Sequence, residues 1–248
     1  MITGVAKSGF GGGVGILAVP LLAVALEAQV AVGVMLPILI AADIVAVSQH
    51  RRHRSAFHLR WALAGGVLGI AAGSALLWSF KHGDATAAER GRSLATMLNL
   101  TLGAVCVVLV GLQLYRFFGG RVPGIPRNRT AGVCAGGLAG FVSTLAHAAG
   151  PVMTVYILDQ GLEKRCVVGT LVMYFFVLNL LKVPSFVGLG LITPQTLTAS
   201  ALLIALVPLG SLLGLWLNRR IPEKPFTLIM YLSAAVAGTW LIVKGLRA

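Results

Sequence analysis

KSGFGGGVGILAVPLL, residues 7–22, sets a cation, a serine and four glycines within seven positions, ahead of an apolar run. A lipid-crossing helix gains nothing from such a start, because each interior glycine costs roughly 1 kcal/mol relative to alanine. Bare backbone is therefore the purpose, and the stretch reads as a helix break that leaves N–H groups free. The second half of the chain carries an echo. STLAHAAGP, residues 143–151, again follows a serine with small residues and a proline.

The composition says what surrounds these breaks. The chain has 248 residues, of which 57% are hydrophobic and 11% charged, with a mean hydropathy of +0.91. Typical soluble domains are about 25% charged, so the chain reads as an all-α polytopic membrane protein without a sizeable soluble domain. The net charge of +13 does not point to nucleic acid. The cations cluster in short gaps between apolar runs, as in HRRHRSAFHLR (residues 50–60) and RFFGGRVPGIPRNR (residues 116–129). Such clusters are juxtamembrane anchors for anionic headgroups. Cys106, Cys134 and Cys166 show no C-x-x-C spacing and read as free, buried thiols. No basic segment followed by an unbroken apolar run marks a cleavable signal peptide.

Eight membrane elements are expected, over Thr3–Leu26, Val30–Gln49, Ala62–Phe80, Leu94–Tyr115, Thr130–Leu158, Cys166–Val187, Thr196–Leu217 and Phe226–Leu246. The basic, proline-containing linker 116–129 divides them into an N-terminal repeat, 1–115, and a C-terminal repeat, 130–248, with glycine-broken helices in each half. Order supports the repeat. Gly33 precedes Asp43 by the same ten residues that separate Gly169 from Asn179, and GIAAG (Gly69–Gly73) corresponds to GSLLG (Gly210–Gly214). G-x-x-x-G pairs let helices approach closely, and internal repeats underlie many secondary-transporter folds.

Matched glycine- or proline-interrupted segments are the best sequence pointer to a transporter's binding site. Broken helices present N–H groups and a positive dipole end that suit an anion. Gly9, Gly11, Gly12 and Gly13, with Lys7 and Ser8, form one candidate cradle; Ser143, Ala148, Ala149, Gly150 and Pro151 form the other. The alternative is that small residues only permit tight packing. His147 stands beside the second break and titrates near neutrality when unperturbed, which makes it a proton-coupling candidate; otherwise it is a hydrogen-bonded packing residue. Asn179 and Lys182 share a helix face at i and i+3, an amide and an ammonium suited to an anion, unless Lys182 snorkels to the interface. Asp43 is the only carboxylate placed inside a span. It either carries a proton, pairs with Lys7 or Lys182, fixes a helix break, or is a structural carboxylate hydrogen-bonded to a neighbouring helix. Lys7 faces either the substrate or a headgroup.

Enzyme signatures are missing: there is no H-E-x-x-H, G-x-S-x-G or phosphate loop in the sequence. No metal site or cofactor is expected. Orientation is nearly balanced on an eight-span count, with eight cations on each side; Lys7 and Arg247 tip the termini toward the cytoplasm.

With these residues assembled, the chain resembles the sulfite exporter TauE/SafE family of bacterial membrane proteins. The carriers are KSGFGGGVGILAVPLLA, VMLPILIAADIVAV, LAGFVSTLAHAAGPVMTVYIL, VVGTLVMYFFVLNLLKVPSF and PLGSLLGLWLNRRI, in order along nearly the whole chain. Ala149 departs from the family's usual second glycine. Only seven residues precede Ser8, against thirteen from Thr130 to Val142 before Ser143, so a stunted first half-helix or a truncated start is expected. The resemblance implies a secondary transporter of the bacterial inner membrane. It would export sulfite or organosulfonates such as sulfoacetate, coupled to protons by alternating access. Its partners would be a small anion, protons and the bilayer; a homo-oligomer stays open. The residues alone specify only a small anion. A permease for another anion or carboxylate, or a non-transporting assembly factor, are the competing readings.

Overall fold

The computed structural model describes residues 18–50, 53–81, 87–120, 124–205 and 223–247. Among these residues every regular element is helical: α1 (Ala18–Ala25), α2 (Ala28–His50), α3 (Ala56–Lys81), α4 (Ala87–Phe117), α5 (Arg129–Ala146), α6 (Ala149–Leu158), α7 (Lys164–Gly188), α8 (Pro194–Ala205) and α9 (Glu223–Leu246). Lys7, Ser8, Gly9, Gly11, Gly12 and Gly13 lie outside the described residues, as do Gly210 and Gly214.

Helices dominate because lipid offers no hydrogen bonds, so each spanning segment must satisfy its own backbone. Segments within α2, α3, α4 and α7 are long and apolar enough to cross a membrane. The 25 residues of α7 extend about 37 Å at the helical rise of 1.5 Å per residue, more than the ~30 Å hydrocarbon core. Leu68, Val108, Val187, Leu202 and Val236 are exposed. Helices that are apolar on the outside as well as the inside belong in lipid.

Two helices start earlier than their apolar runs suggest. α3 begins at Ala56 rather than Ala62, because His58 is buried and Trp61 lies between the Arg60 and Arg129 guanidiniums, 5.1 and 5.3 Å from its ring centroid. α4 begins at Ala87 rather than Leu94, with Glu89 in its first turn, where a negative charge complements the helix dipole. Of the three thiols, all free, only Cys106 is buried; Cys134 is exposed and Cys166 half-buried. Two residues from Gly136, Cys134 points roughly 200° around α5, away from the face packed on α3.

The chain reverses where the sequence suggests a single element. α5 and α7 run in the same direction. Tyr174 donates to the Gly136 carbonyl at 3.0 Å, Lys182 meets Ser143, and Phe186 meets His147. α6, between them in sequence, therefore runs the other way. Its late residue Tyr156 packs beside Gly132, early in α5. Ile125, before α5, bonds Asp159 and Gln160, after α6, at 3.2 and 3.3 Å. Thr130–Leu158 is thus a hairpin with its tip at His147, and both its ends share one end of the molecule.

Close backbone contact holds the helices around this hairpin. α3 and α5 pack in parallel along a glycine seam. A Cβ at Gly69 would strike the Gly137 carbonyl, and one at Gly136 the Ala62 carbonyl. α4 and α9 pack antiparallel: a Cβ at Gly103 would lie 2.6 Å from the Gly238 carbonyl, and one at Gly245 would meet the Leu100 side chain. α2 and α7 are also antiparallel. Gly33 on α2 admits the Leu191 carbonyl that follows α7, and Gly169 on α7 admits the His53 carbonyl that follows α2. Gly169→Ala is expected to cost about 2 kcal/mol, the middle of the range for forcing extra atoms into a packed site. Thermal unfolding in detergent would show this, and an unchanged midpoint would refute it.

Candidate functional site

The hairpin tip is built from a backbone conformation that suits glycine. His147 has φ 50° and ψ 27° and is the only non-glycine residue with positive φ among the described residues. Left-handed geometry costs a side-chain-bearing residue roughly 1–2 kcal/mol. In a segment rich in glycine, a histidine here stores strain for a reason, and strained backbone clusters at functional sites.

That reason is visible in its contacts. The His147 N–H closes α5 by donating to the Ser143 carbonyl at 2.9 Å. Its ring bridges two other helices. Nε2 lies 3.0 Å from the Val32 carbonyl on α2, and Nδ1 lies 3.0 Å from Lys182 Nζ on α7. The ring stands edge-on to Phe186, centroids 5.6 Å apart.

Lys182 is 0% exposed. It does not snorkel; it points into the protein, where its ammonium meets the Ser143 carbonyl at 3.2 Å, Ser143 Oγ at 2.9 Å and His147 Nδ1. Ser143 is in the last turn of α5, so a cation sits at the negative end of that helix, where the dipole favours it. The positive end of α6 starts a residue later. Its N-cap, Ala148, makes no side-chain hydrogen bond. Ala149, Gly150 and Pro151 form the first turn of α6 rather than the break itself. Proline is tolerated there because its missing N–H would have had no partner in the helix.

The remaining sequence candidates lie one turn away. Asn179, three residues before Lys182, donates from Nδ2 to Asp43 Oδ2 at 2.7 Å. Both are buried. Asp43 is close enough to Lys182 for their charges to interact. The structure thus gathers the buried Asp43, Ser143, Asn179 and Lys182 and the half-buried His147 in one cluster, with Gly150 half-buried beside it in α6.

Residues 1–241 match the family described as Sulfite exporter TauE/SafE. The chain belongs to that family. Neither a curated protein nor a solved structure matches it further. The TauE/SafE family is one of membrane transporters for sulfite or related anions, not of enzymes, so a small anion and a lipid bilayer are the partners it brings. The apolar helices agree. Among the described residues no group of histidine, cysteine and carboxylate side chains forms a metal site.

Three contacts of the hairpin are not among the sequence candidates. The Val32 carbonyl has no side-chain signal. Phe186 has one: it lies four residues after Lys182 and so on the same helix face. His58 stands in a basic gap of the sequence, yet it is buried in α3 with Nδ1 3.0 Å from the Tyr156 hydroxyl. It holds the far end of the hairpin rather than the tip.

Proposed function

We propose that this TauE/SafE member exports small sulfur oxyanions, sulfite or organosulfonates such as sulfoacetate, by proton-coupled alternating access around the hairpin tip. The observation that carries the reading is a fully buried Lys182 bound to a helix break whose other side is an uncapped helix N-terminus. An anion fits between a cation and a positive dipole end. In this reading Ser143 and the Ala149–Gly150 backbone cradle the anion, Lys182 supplies charge, Asn179 sets Asp43, and His147, with Asp43 as the alternative, takes the proton. Lys7, Ser8, Gly11, Gly12 and Gly13 complete the cradle from the first half.

Alternating access in this reading rests on two halves of opposite topology. Pro20 lies in α1 as Pro151 lies in α6. α2 and α7 face each other antiparallel through Asp43 and Asn179, and Gly33 and Gly169 make reciprocal contacts. α4 and α9 are antiparallel through Gly103 and Gly238. In this reading each half has a hairpin and three spans, an odd number of crossings, with residues 1–17 and 206–222 lying outside the described residues. The halves are then inverted about an axis in the membrane plane, as in many transporters. Re-entry also changes the charge count. The gaps 50–60, 116–129, 159–165 and 218–225 then share one side with thirteen Lys and Arg, against six from Lys7, Lys81, Arg90, Arg92, Lys244 and Arg247. The positive-inside rule makes the thirteen-cation side cytoplasmic and the C-terminus external, reversing the eight-span expectation.

The test is uptake into proteoliposomes of sulfite, sulfoacetate, thiosulfate and acetate, with and without a pH gradient. Sulfite or a sulfonate moves and the gradient drives it. Movement of acetate-like anions alone would leave a transporter with the wrong substrate class, and no movement by folded protein would favour the assembly-factor reading.

A further inference from the structure

We infer that the Lys182–His147 contact holds a single proton, so that the transported anion enters together with one more proton. This deepens the reading of the hairpin tip as the anion site and rests on it.

Hydrogen-bond accounting leads there. A carbonyl only accepts, so His147 Nε2, 3.0 Å from the Val32 carbonyl, carries a hydrogen. Nδ1 faces Lys182 Nζ at 3.0 Å. With a neutral ring, Nδ1 accepts one of the three ammonium hydrogens. With the proton moved across, an imidazolium N–H donates to a neutral amine. Both forms place one proton between the two nitrogens and one positive charge on the pair. The other two Lys182 hydrogens go to the Ser143 carbonyl and hydroxyl, at 3.2 and 2.9 Å. No Lys182 hydrogen is left for an anion while this bond stands.

A second proton, taken from water, forms a new N–H bond at Nδ1 while Lys182 keeps all three of its hydrogens. The two groups then present hydrogens to each other, their bond is lost, and like charges push them apart. That releases one Lys182 donor and one His147 donor beside the N-terminus of α6. The charge count closes. Among the described residues, the groups facing the pair are Ser143 from α5, Asp43 and the Val32 carbonyl from α2, and Asn179 and Phe186 from α7. Asp43 is the one carboxylate among them, and it interacts electrostatically with Lys182. Counting the described residues alone, an empty site with one proton on the pair and a charged Asp43 is neutral; Lys7 lies outside the described residues and outside this count. A loaded site with two protons, Asp43 and a monovalent anion is neutral again. Burial at membrane depth penalises every other combination. Movement of a monovalent sulfonate with its proton is then electroneutral, so export by this route runs down the anion's own outward gradient.

The experiment is calorimetry of methanesulfonate, whose charge is constant across the working pH range, binding to the full chain in two buffers of different ionisation enthalpy. About one proton is taken up per anion, and affinity strengthens about tenfold per unit fall in pH, as one-proton linkage requires. His147→Asn, chosen because asparagine tolerates left-handed backbone, takes up no proton and shows a flat pH profile. Anion binding with no proton uptake, or with proton release, overturns the inference and leaves the anion site standing. Retained one-proton uptake in folded His147→Asn overturns it too. Failure of folded wild type to bind either methanesulfonate or sulfite overturns the site reading itself. Should His147→Asn not fold, the wild-type proton count decides.

Discussion

Lys182→Met is expected to abolish anion transport and to destabilise the fold by ~3 kcal/mol, the low end of the cost of removing one partner from a buried charge pair. Methionine fills the volume well, so packing is not the cause. Asp43, 2% exposed, loses the positive charge of Lys182 that it interacts with, while it still accepts from the Asn179 amide. Adding Asp43→Asn removes the carboxylate charge. The double variant should regain most of the stability and none of the transport. Chemical denaturation separates the two effects from uptake measured on the same preparations. A double variant as unstable as Lys182→Met would mean that Asp43 and Lys182 do not sense each other. A transporting Lys182→Met would remove the ammonium from the site.

Gly136→Ala is the second large effect. A Cβ there meets the Ala62 carbonyl of α3, and backbone cannot step aside as a side chain can. The expected loss is about 3 kcal/mol, at the upper end for overpacking, with lower yield of folded protein. Gly111→Ala in α4 is the matched control, since nothing lies within 4 Å of its Cβ position. It should be neutral or stabilising by up to about 1 kcal/mol through helix propensity alone. Equal effects at the two positions would show that the α3–α5 seam is not packed as described. In the proposed repeat the seam joins the first half to the second, so loosening it should also slow transport in whatever protein folds.

The membrane helices are legible in the residues themselves, through the scarcity of charge and the long apolar runs. The i, i+3 spacing of Asn179 and Lys182 puts both on one face of α7, and both are indeed buried. Asp43 and Asn179, each singled out ten residues after a glycine, meet across α2 and α7. The reversal at His147 is not legible. Thr130–Leu158 has the length and composition of one interrupted span, and direction after a break is set by packing on other helices, not by local residues. Partnership is hidden for a similar reason. Asp43 and Asn179 are 136 residues apart, and His147 and Lys182 are 35 apart. Local pattern names the candidates; only tertiary contact says which of them share a hydrogen.

The central claim is that a small sulfur anion is carried through a site at the hairpin tip, and counterflow in proteoliposomes tests it most directly. Vesicles preloaded with unlabelled sulfite should take up labelled sulfite faster than empty ones, because a carrier exchanges faster than it returns empty, and Lys182→Met should erase that acceleration. Folded wild-type protein that shows no accelerated exchange, or a Lys182→Met variant that keeps it, would contradict the account.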